Sequence, residues 1–178
     1  ANGCRVVASD PDAEKRTVAE KLGAEVSVSP GDLLGTVSAL TEGHGADAAV
    51  VTASTKDNAP IIAAGEVVRK KGRVVVVGAV GMDLPREPYY EKELELRLST
   101  SYGPGRYDME YEEKGRDYPY GYVRWTENRN MGAFLALIAD GSLDVAALTH
   151  HRIPIEEAEA AYGKILDASG SPLGVLLI

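Results

Sequence analysis

Three helical patterns separate four short apolar runs in the first hundred residues, and this alternation limits the chain to few folds. The runs are Cys4–Ser9, Glu25–Val28, Ala46–Thr52 and Arg73–Gly78, and the periodic stretches lie at about 12–22, 32–42 and 57–70. Strand–helix–strand repetition with connections of this length predicts parallel pairing and right-handed crossovers. Arg73-Val74-Val75-Val76-Val77-Gly78 is the strongest strand, and its unbroken apolar run suits a central strand covered on both faces. Gly23, Gly43-His44-Gly45 and Gly72 are the expected helix stops. Arg69, Lys70 and Lys71 are expected to sit favourably at the negative end of the third helix.

Beyond Tyr102 the pattern changes. Met82-Asp83-Leu84 reads as a short extended piece and Glu93–Ser101 as a further strand. Six of the nine tyrosines then fall between 102 and 122, in a polar stretch broken by Gly and Pro. A loop of that length is a lid, a partner surface, a sugar-facing wall or a solvated loop with a few anchoring rings. Two periodic helices follow, one presenting Met131, Phe134, Leu135 and Ile138, the other Ala158, Ala161, Tyr162 and Ile165. A strand over 172–178 ends the chain. The predicted organisation is an α/β, doubly wound parallel sheet over 1–102 and a loop, helical segment and terminal strand over 103–178.

The length, 178 residues, gives about one core. A net charge of −8 argues against nucleic acid and against an anionic membrane surface. No apolar run reaches membrane-spanning length; a cytoplasmic protein is the expectation. One cysteine, Cys4, excludes an internal disulfide and a Cys-only zinc site. His150 and His151 are adjacent and would point apart on a strand, and His44 lies in a glycine turn, so no metal site is expected. No arrangement of catalytic residues is visible.

The candidate binding residues sit at the ends of the predicted strands. Asp10 closes the first apolar run. A carboxylate there can accept both adenosine ribose hydroxyls of NAD, and its charge repels the 2′-phosphate of NADP. Pro11-Asp12 after it suits equally a reading in which Asp10 only caps the next helix. Lys15, five residues on, reaches a ribose or phosphate or is simply solvated. In open parallel sheets ligands lie over the carboxyl ends of the strands, here Thr52-Ala53-Ser54 and Val77-Gly78-Ala79. Small residues let a flat ring approach the backbone, and they also suit ordinary turns.

Taken in order, Cys4–Asp10, Lys15, Leu22, Gly23-Ala24, Thr52, Gly72–Gly78 and Lys92-Glu93-Leu94 resemble the cofactor domain of medium-chain, zinc-type alcohol dehydrogenases, with the threonine and sorbitol dehydrogenases nearest in character. Gly141–Asp144 and Leu148–Ala158 resemble that family's C-terminal part. Gly103–Tyr107 and Arg124–Arg129 look like a bacterial subgroup fused to a second domain of glucose–fructose oxidoreductase type. The resemblance implies that Asp10 holds the ribose with Lys15 in support. It implies that Thr52, Ala53 and Ser54 line the adenine side, that Val77, Gly78 and Ala79 run beside the nicotinamide, and that Tyr102 lies near its carboxamide. It makes Met82, Asp83 and Leu84 the edge through which a homo-oligomer pairs. The implied reaction is hydride transfer between a small secondary alcohol, of sugar or amino-acid type, and NAD. A non-zinc reductase of the same superfamily and a non-catalytic Rossmann-like binding module remain open alternatives.

The chain also departs from the family pattern. The glycine turn expected ~20 residues before the ribose acid, and the strand before it, have no counterpart in the residues preceding Asp10. The expectation is a fragment that carries the cofactor part, with zinc ligands, if any, in a catalytic domain elsewhere. Gly174 stands where some members place an arginine near the pyrophosphate. In the strand order 3-2-1-4-5-6 the absent strand is central. Its slot is expected to be filled by upstream residues, by a strand from another copy, or by closure of the sheet.

Overall fold

A computed structural model describes residues 3–149, 151–166 and 173–178. The predicted strand over 172–178 begins, and the His150 of the adjacent pair lies, outside these described residues. The first unit is β1 (Val7–Ser9), α1 (Ala13–Lys21) and β2 (Val26–Val28), with β1 and β2 parallel, Val7 opposite Val26 and Ser9 opposite Val28. A turn of 3-10 helix over Pro30–Asp32 leads into α2 (Leu33–Leu40). Then come β3 (Ala46–Val51), α3 (Ala59–Val67), β4 (Val68–Val76), α4 (Arg86–Glu91) and β5 (Glu95–Leu98). These three strands form one parallel sheet in the order β3-β4-β5. After them lie α5 (Met109–Glu112), α6 (Glu127–Ala139), β6 (His151–Ile153), α7 (Ala158–Leu166) and β7 (Val175–Leu177), with β6 and β7 parallel. The α/β architecture of parallel strands joined by helices is the one the alternation predicts.

The core is built on one face of the three-stranded sheet. Val51, Val74 and Val76 pack there against Ile61, Ala64 and Val67 of α3 and Val37 of α2. The other face differs from expectation. Val50 is 63% exposed and Val75 only half-buried, so β4 is central but covered on one side. The physical reason is that α2 and α3 both lie on the face of Val51 and Val74, and no helix from the described residues crosses Val50.

The end of α3 also departs from the basic-tail expectation. The helix stops at Val67, and Arg69, Lys70 and Lys71 belong to the start of β4. Arg69 pairs with Asp47 at 2.6 Å and Lys71 with Glu93 at 3.0 Å. The orphan carbonyls at the helix end are met instead by Lys92, 24 to 27 residues away. Its Nζ donates to the carbonyl oxygens of Gly65 at 3.0 Å, Glu66 at 2.6 Å and Val68 at 3.0 Å. Gly72 lies where a Cβ would stand 2.3 Å from Val68 Cγ1 and 2.9 Å from the Asp47 carbonyl oxygen. It serves the bulge between β3 and β4, where the register shifts between Ala46 and Ala48, rather than a helix stop.

Among the described residues the β1-β2 sheet and the three-stranded sheet are not hydrogen-bonded to each other. Val7 packs against the common core, and Arg5 Nη1 donates to the Leu40 carbonyl at 3.4 Å. Among the described residues, then, the sheet does not close over the gap between β1 and β3. Closure of the sheet, one of the three expected outcomes, is therefore not what the described residues show.

The tyrosine-rich stretch is held by contacts within itself. Tyr111 and Tyr118 stack with ring centroids 5.5 Å apart. The Tyr118 hydroxyl donates to Asp108, which holds that carboxyl below its usual range and raises the phenol. Thr126, fully buried, caps α6 and accepts from the Tyr111 hydroxyl at 2.8 Å. Arg129 donates to Asp117 and to the carbonyls of Val123 and Arg124. The apolar side chains Met131, Phe134 and Leu135 of α6 are exposed.

Candidate functional site

Asp10 follows the last residue of β1, and its amide donates to the Val28 carbonyl at 3.3 Å. The structure answers the capping reading of this acid. The N-cap of α1 is Asp12, whose side chain accepts from the Glu14 amide at 2.8 Å. Asp10 does not cap the helix. Its Oδ1 accepts from the Asp12 amide at 2.8 Å, and among the described residues its Oδ2 has no partner. One carboxylate oxygen therefore remains for another group. Arg16, one turn into α1, places Nη1 at 2.6 Å from the Asp10 carbonyl oxygen and 2.9 Å from that of Pro11. Lys15 is half-buried, with no hydrogen bond or ion pair among the described residues.

The tips of β3 and β4 are laced together. The amides of Val77 and Gly78 both donate to the Val51 carbonyl, at 2.9 and 3.0 Å, and the Thr55 amide donates to the Ala79 carbonyl at 2.8 Å. Gly81 continues the seam by donating to the Asp57 carbonyl at 3.0 Å. Gly78 is required by this approach. A Cβ there would stand 2.0 Å from the Ala53 carbonyl oxygen and 2.6 Å from the Thr52 carbonyl carbon. Beside the seam lies a hollow of about 470 Å³, lined by Ser54, Thr55, Lys56, Ala79, Val80 and Gly81.

The structure thus brings Thr52, Ala53 and Ser54 together with Val77, Gly78 and Ala79, as the strand-tip argument predicts. Asp10 and Lys15 lie at the end of a different sheet. Tyr102 does not line the hollow. It lies four residues past β5, exposed, with its carbonyl accepting from Asn130 Nδ2 at 2.9 Å and the Arg106 guanidinium 5.7 Å from its ring centroid. Met82 and Asp83 are exposed and Leu84 half-buried, and the Asp83 amide donates to Asn58 Oδ1 at 3.0 Å. Thr55, Lys56, Val80, Gly81 and Arg16 escape the sequence argument. Gly81 had a readable signal, as a glycine one turn past a strand tip; Arg16 had none, since a helical arginine looks solvated until its carbonyl partners are known.

Among the described residues no group of three or more His, Cys, Asp or Glu side chains is placed to hold a metal ion. No helix among them is long and apolar enough to cross a membrane.

Parallel strands wound with helices, an acid at one tip and a glycine seam between two others define a Rossmann-like unit. The chain belongs to the zinc-binding dehydrogenase family, whose model matches residues 1–113. A Mycobacterium tuberculosis protein bearing the name alcohol dehydrogenase D is 41% identical over 80 residues, covering 44% of this chain and 22% of its own length. An alcohol dehydrogenase from Thermus sp. ATN1 shares the fold with a TM-score of 0.72 at 24% identity, over 98% of this chain and 43% of that one. A Sinorhizobium meliloti 1021 protein named for zinc-binding dehydrogenases and solved with NADP bound gives a TM-score of 0.67 at 19% identity, over 98% and 45%. The chain therefore spans less than half the length of these relatives.

Proposed function

We propose that this chain is the cofactor-binding part of an oxidoreductase that transfers a hydride between a secondary alcohol, of sugar or amino-acid type, and NAD. The observation that carries the proposal is Asp10, placed at the tip of a parallel strand, not consumed by helix capping, and with one oxygen without a partner among the described residues. In this reading both ribose hydroxyls donate to the Asp10 carboxylate, and its charge disfavours a 2′-phosphate. Lys15 supports the ribose or the adjacent phosphate. Thr52, Ala53 and Ser54 form the adenine-side wall, and Val77, Gly78 and Ala79 the wall beside the nicotinamide, with Tyr102 towards the carboxamide. Gly78 lets the two walls meet backbone to backbone, without room for a side chain between them.

NAD, when bound, supplies the hydride acceptor. The residues of this chain bind and orient it. Met82, Asp83 and Leu84 are proposed as the pairing edge of a homo-oligomer, supported by the exposure of Met82 and Asp83.

Calorimetric titration of NAD and NADP into the protein carrying this chain tests the proposal. NAD is expected to bind in preference to NADP. Asp10→Ala is expected to weaken NAD at least about tenfold, the worth of one charged hydrogen bond, and to shrink the preference. No saturable binding of either nucleotide, or an unchanged preference in the variant, refutes it.

A further inference from the structure

We infer that Arg16 is a positioning residue for cofactor selection: its guanidinium fixes the Asp10–Pro11 turn so that one oxygen of the Asp10 carboxylate faces the adenosine ribose. The inference rests on the Asp10 reading proposed above and names the group through which that acid is aimed.

The turn after β1 has few ties of its own. Pro11 has no N–H to donate, and the Asp10 amide bond to the Val28 carbonyl is long, at 3.3 Å. Asp10 Oδ1 is engaged by the Asp12 amide at 2.8 Å. The direction of Oδ2 is then set by the backbone between residues 10 and 12. Arg16 grips that backbone. One nitrogen, Nη1, donates to two successive carbonyl oxygens, Asp10 at 2.6 Å and Pro11 at 2.9 Å. Charge-assisted bonds of this kind are stronger than neutral ones, and the Asp10 contact is part-buried, where solvent screens it less.

The choice of partner matters as much as the strength. Arg16 takes main-chain carbonyls and forms no ion pair among the described residues. A guanidinium salt-bridged to the Asp10 carboxylate would occupy the oxygens a ribose needs; one bound to the carbonyls behind it leaves them available. Arg16 is also anchored in α1, whose N-terminus is capped by Asp12, so the turn is held from an ordered element.

A second role for this arginine predicts the opposite sign. Rossmann-like sites for NADP use an arginine near the ribose acid to accept the 2′-phosphate. If Arg16 did so, its removal would weaken NADP and raise the preference for NAD. If it positions Asp10, removal weakens NAD, leaves NADP nearly unchanged and lowers the preference.

The experiment compares wild type, Arg16→Ala, Arg16→Lys and Asp10→Ala in the protein carrying this chain, by calorimetric titration with NAD and with NADP, with circular dichroism as the folding control. Arg16→Ala is expected to raise the NAD dissociation constant about tenfold, to shift NADP by less than about twofold, and so to reduce the preference about as Asp10→Ala does. Arg16→Lys, which keeps the charge and a donor, is expected to recover most of it. Should Arg16→Ala not fold, Arg16→Gln carries the same comparison, with a donor but no charge. An unchanged or increased preference for NAD on losing Arg16 overturns the inference. Loss of NAD binding in Asp10→Ala without loss in the Arg16 variants overturns it alone, whereas an Asp10→Ala protein with normal NAD binding overturns the cofactor reading itself.

Discussion

Replacing Lys92 by methionine keeps a long apolar stem and removes the ammonium that closes α3. The three carbonyls it serves, at 2.6 to 3.0 Å, are those of Gly65, Glu66 and Val68, at the negative end of the helix dipole. A hydrogen bond to a charged group is worth about 1.5–3 kcal/mol, and a cation at a partly buried helix C-terminus up to about 2 kcal/mol. These overlap, and one ammonium shared among three acceptors does not give three full bonds. Glu66 is exposed, so water can replace its share. Gly65 and Val68 are buried, and their carbonyls carry most of the penalty. The net cost is about 2–4 kcal/mol. At roughly 2–4 °C per kcal/mol for a chain of this size, the melting temperature is expected to fall by about 5–15 °C. Urea denaturation followed by circular dichroism measures it directly, with Lys71→Met as control. Lys71 pairs only with Glu93 on the surface, and such a pair is worth about 1 kcal/mol at most. If Lys92→Met lay within about 0.5 kcal/mol of Lys71→Met, the long-range cap would not be what stabilises the end of α3.

Two further outcomes follow from the packing. Tyr89 donates to the Ile61 carbonyl at 2.7 Å, and burial pushes its phenol up to about 12. A folded-state pKa above the unfolded value near 10 means that its stabilisation is complete below about pH 10 and is lost as pH rises towards 12. In Tyr89→Phe, ultraviolet titration should lose the latest-ionising tyrosine and stability should drop by about 1 kcal/mol at neutral pH; a Tyr89 that ionises with the exposed tyrosines contradicts this. Gly78→Ala drives a Cβ to 2.0 Å from a backbone oxygen, which no rotamer change relieves. It should cost at least about 1–3 kcal/mol in urea denaturation, and a neutral effect would show that the strand tips are not held together.

The alternating elements were legible because β-branched runs and helical spacing are local signals. Val74 and Val76 lie inside the core, as the apolar run over 74–77 leads one to expect. Asp10 was half legible. Its place at a strand tip is plain from the sequence, but a capping role for Asp10 is excluded only by the Glu14 amide, which donates to Asp12 instead. The end of α3 is not legible in the sequence, because Arg69, Lys70 and Lys71 offer a local cation where the cap comes from Lys92. The tyrosine-rich loop hid its order for the same reason: Asp108 with Tyr118, Asp117 with Arg129 and Tyr111 with Thr126 are pairings no periodicity announces. Contacts made across sequence distance are what a pattern of neighbours cannot encode.

The separation of the two sheets has a thermodynamic consequence. Asp10 stands at the end of β1, while the Gly78 seam closes β3 and β4, and among the described residues no backbone ladder joins them. The two ends of the proposed cofactor site thus lie on sheets that share core contacts through Val7. A dinucleotide that touches both bridges them, so its binding energy also becomes coupling energy between the sheets. Ligand-dependent stabilisation of the kind expected from mass action should then appear as slower amide exchange in β1 and β3 together, a tightening of the joint as much as of the site.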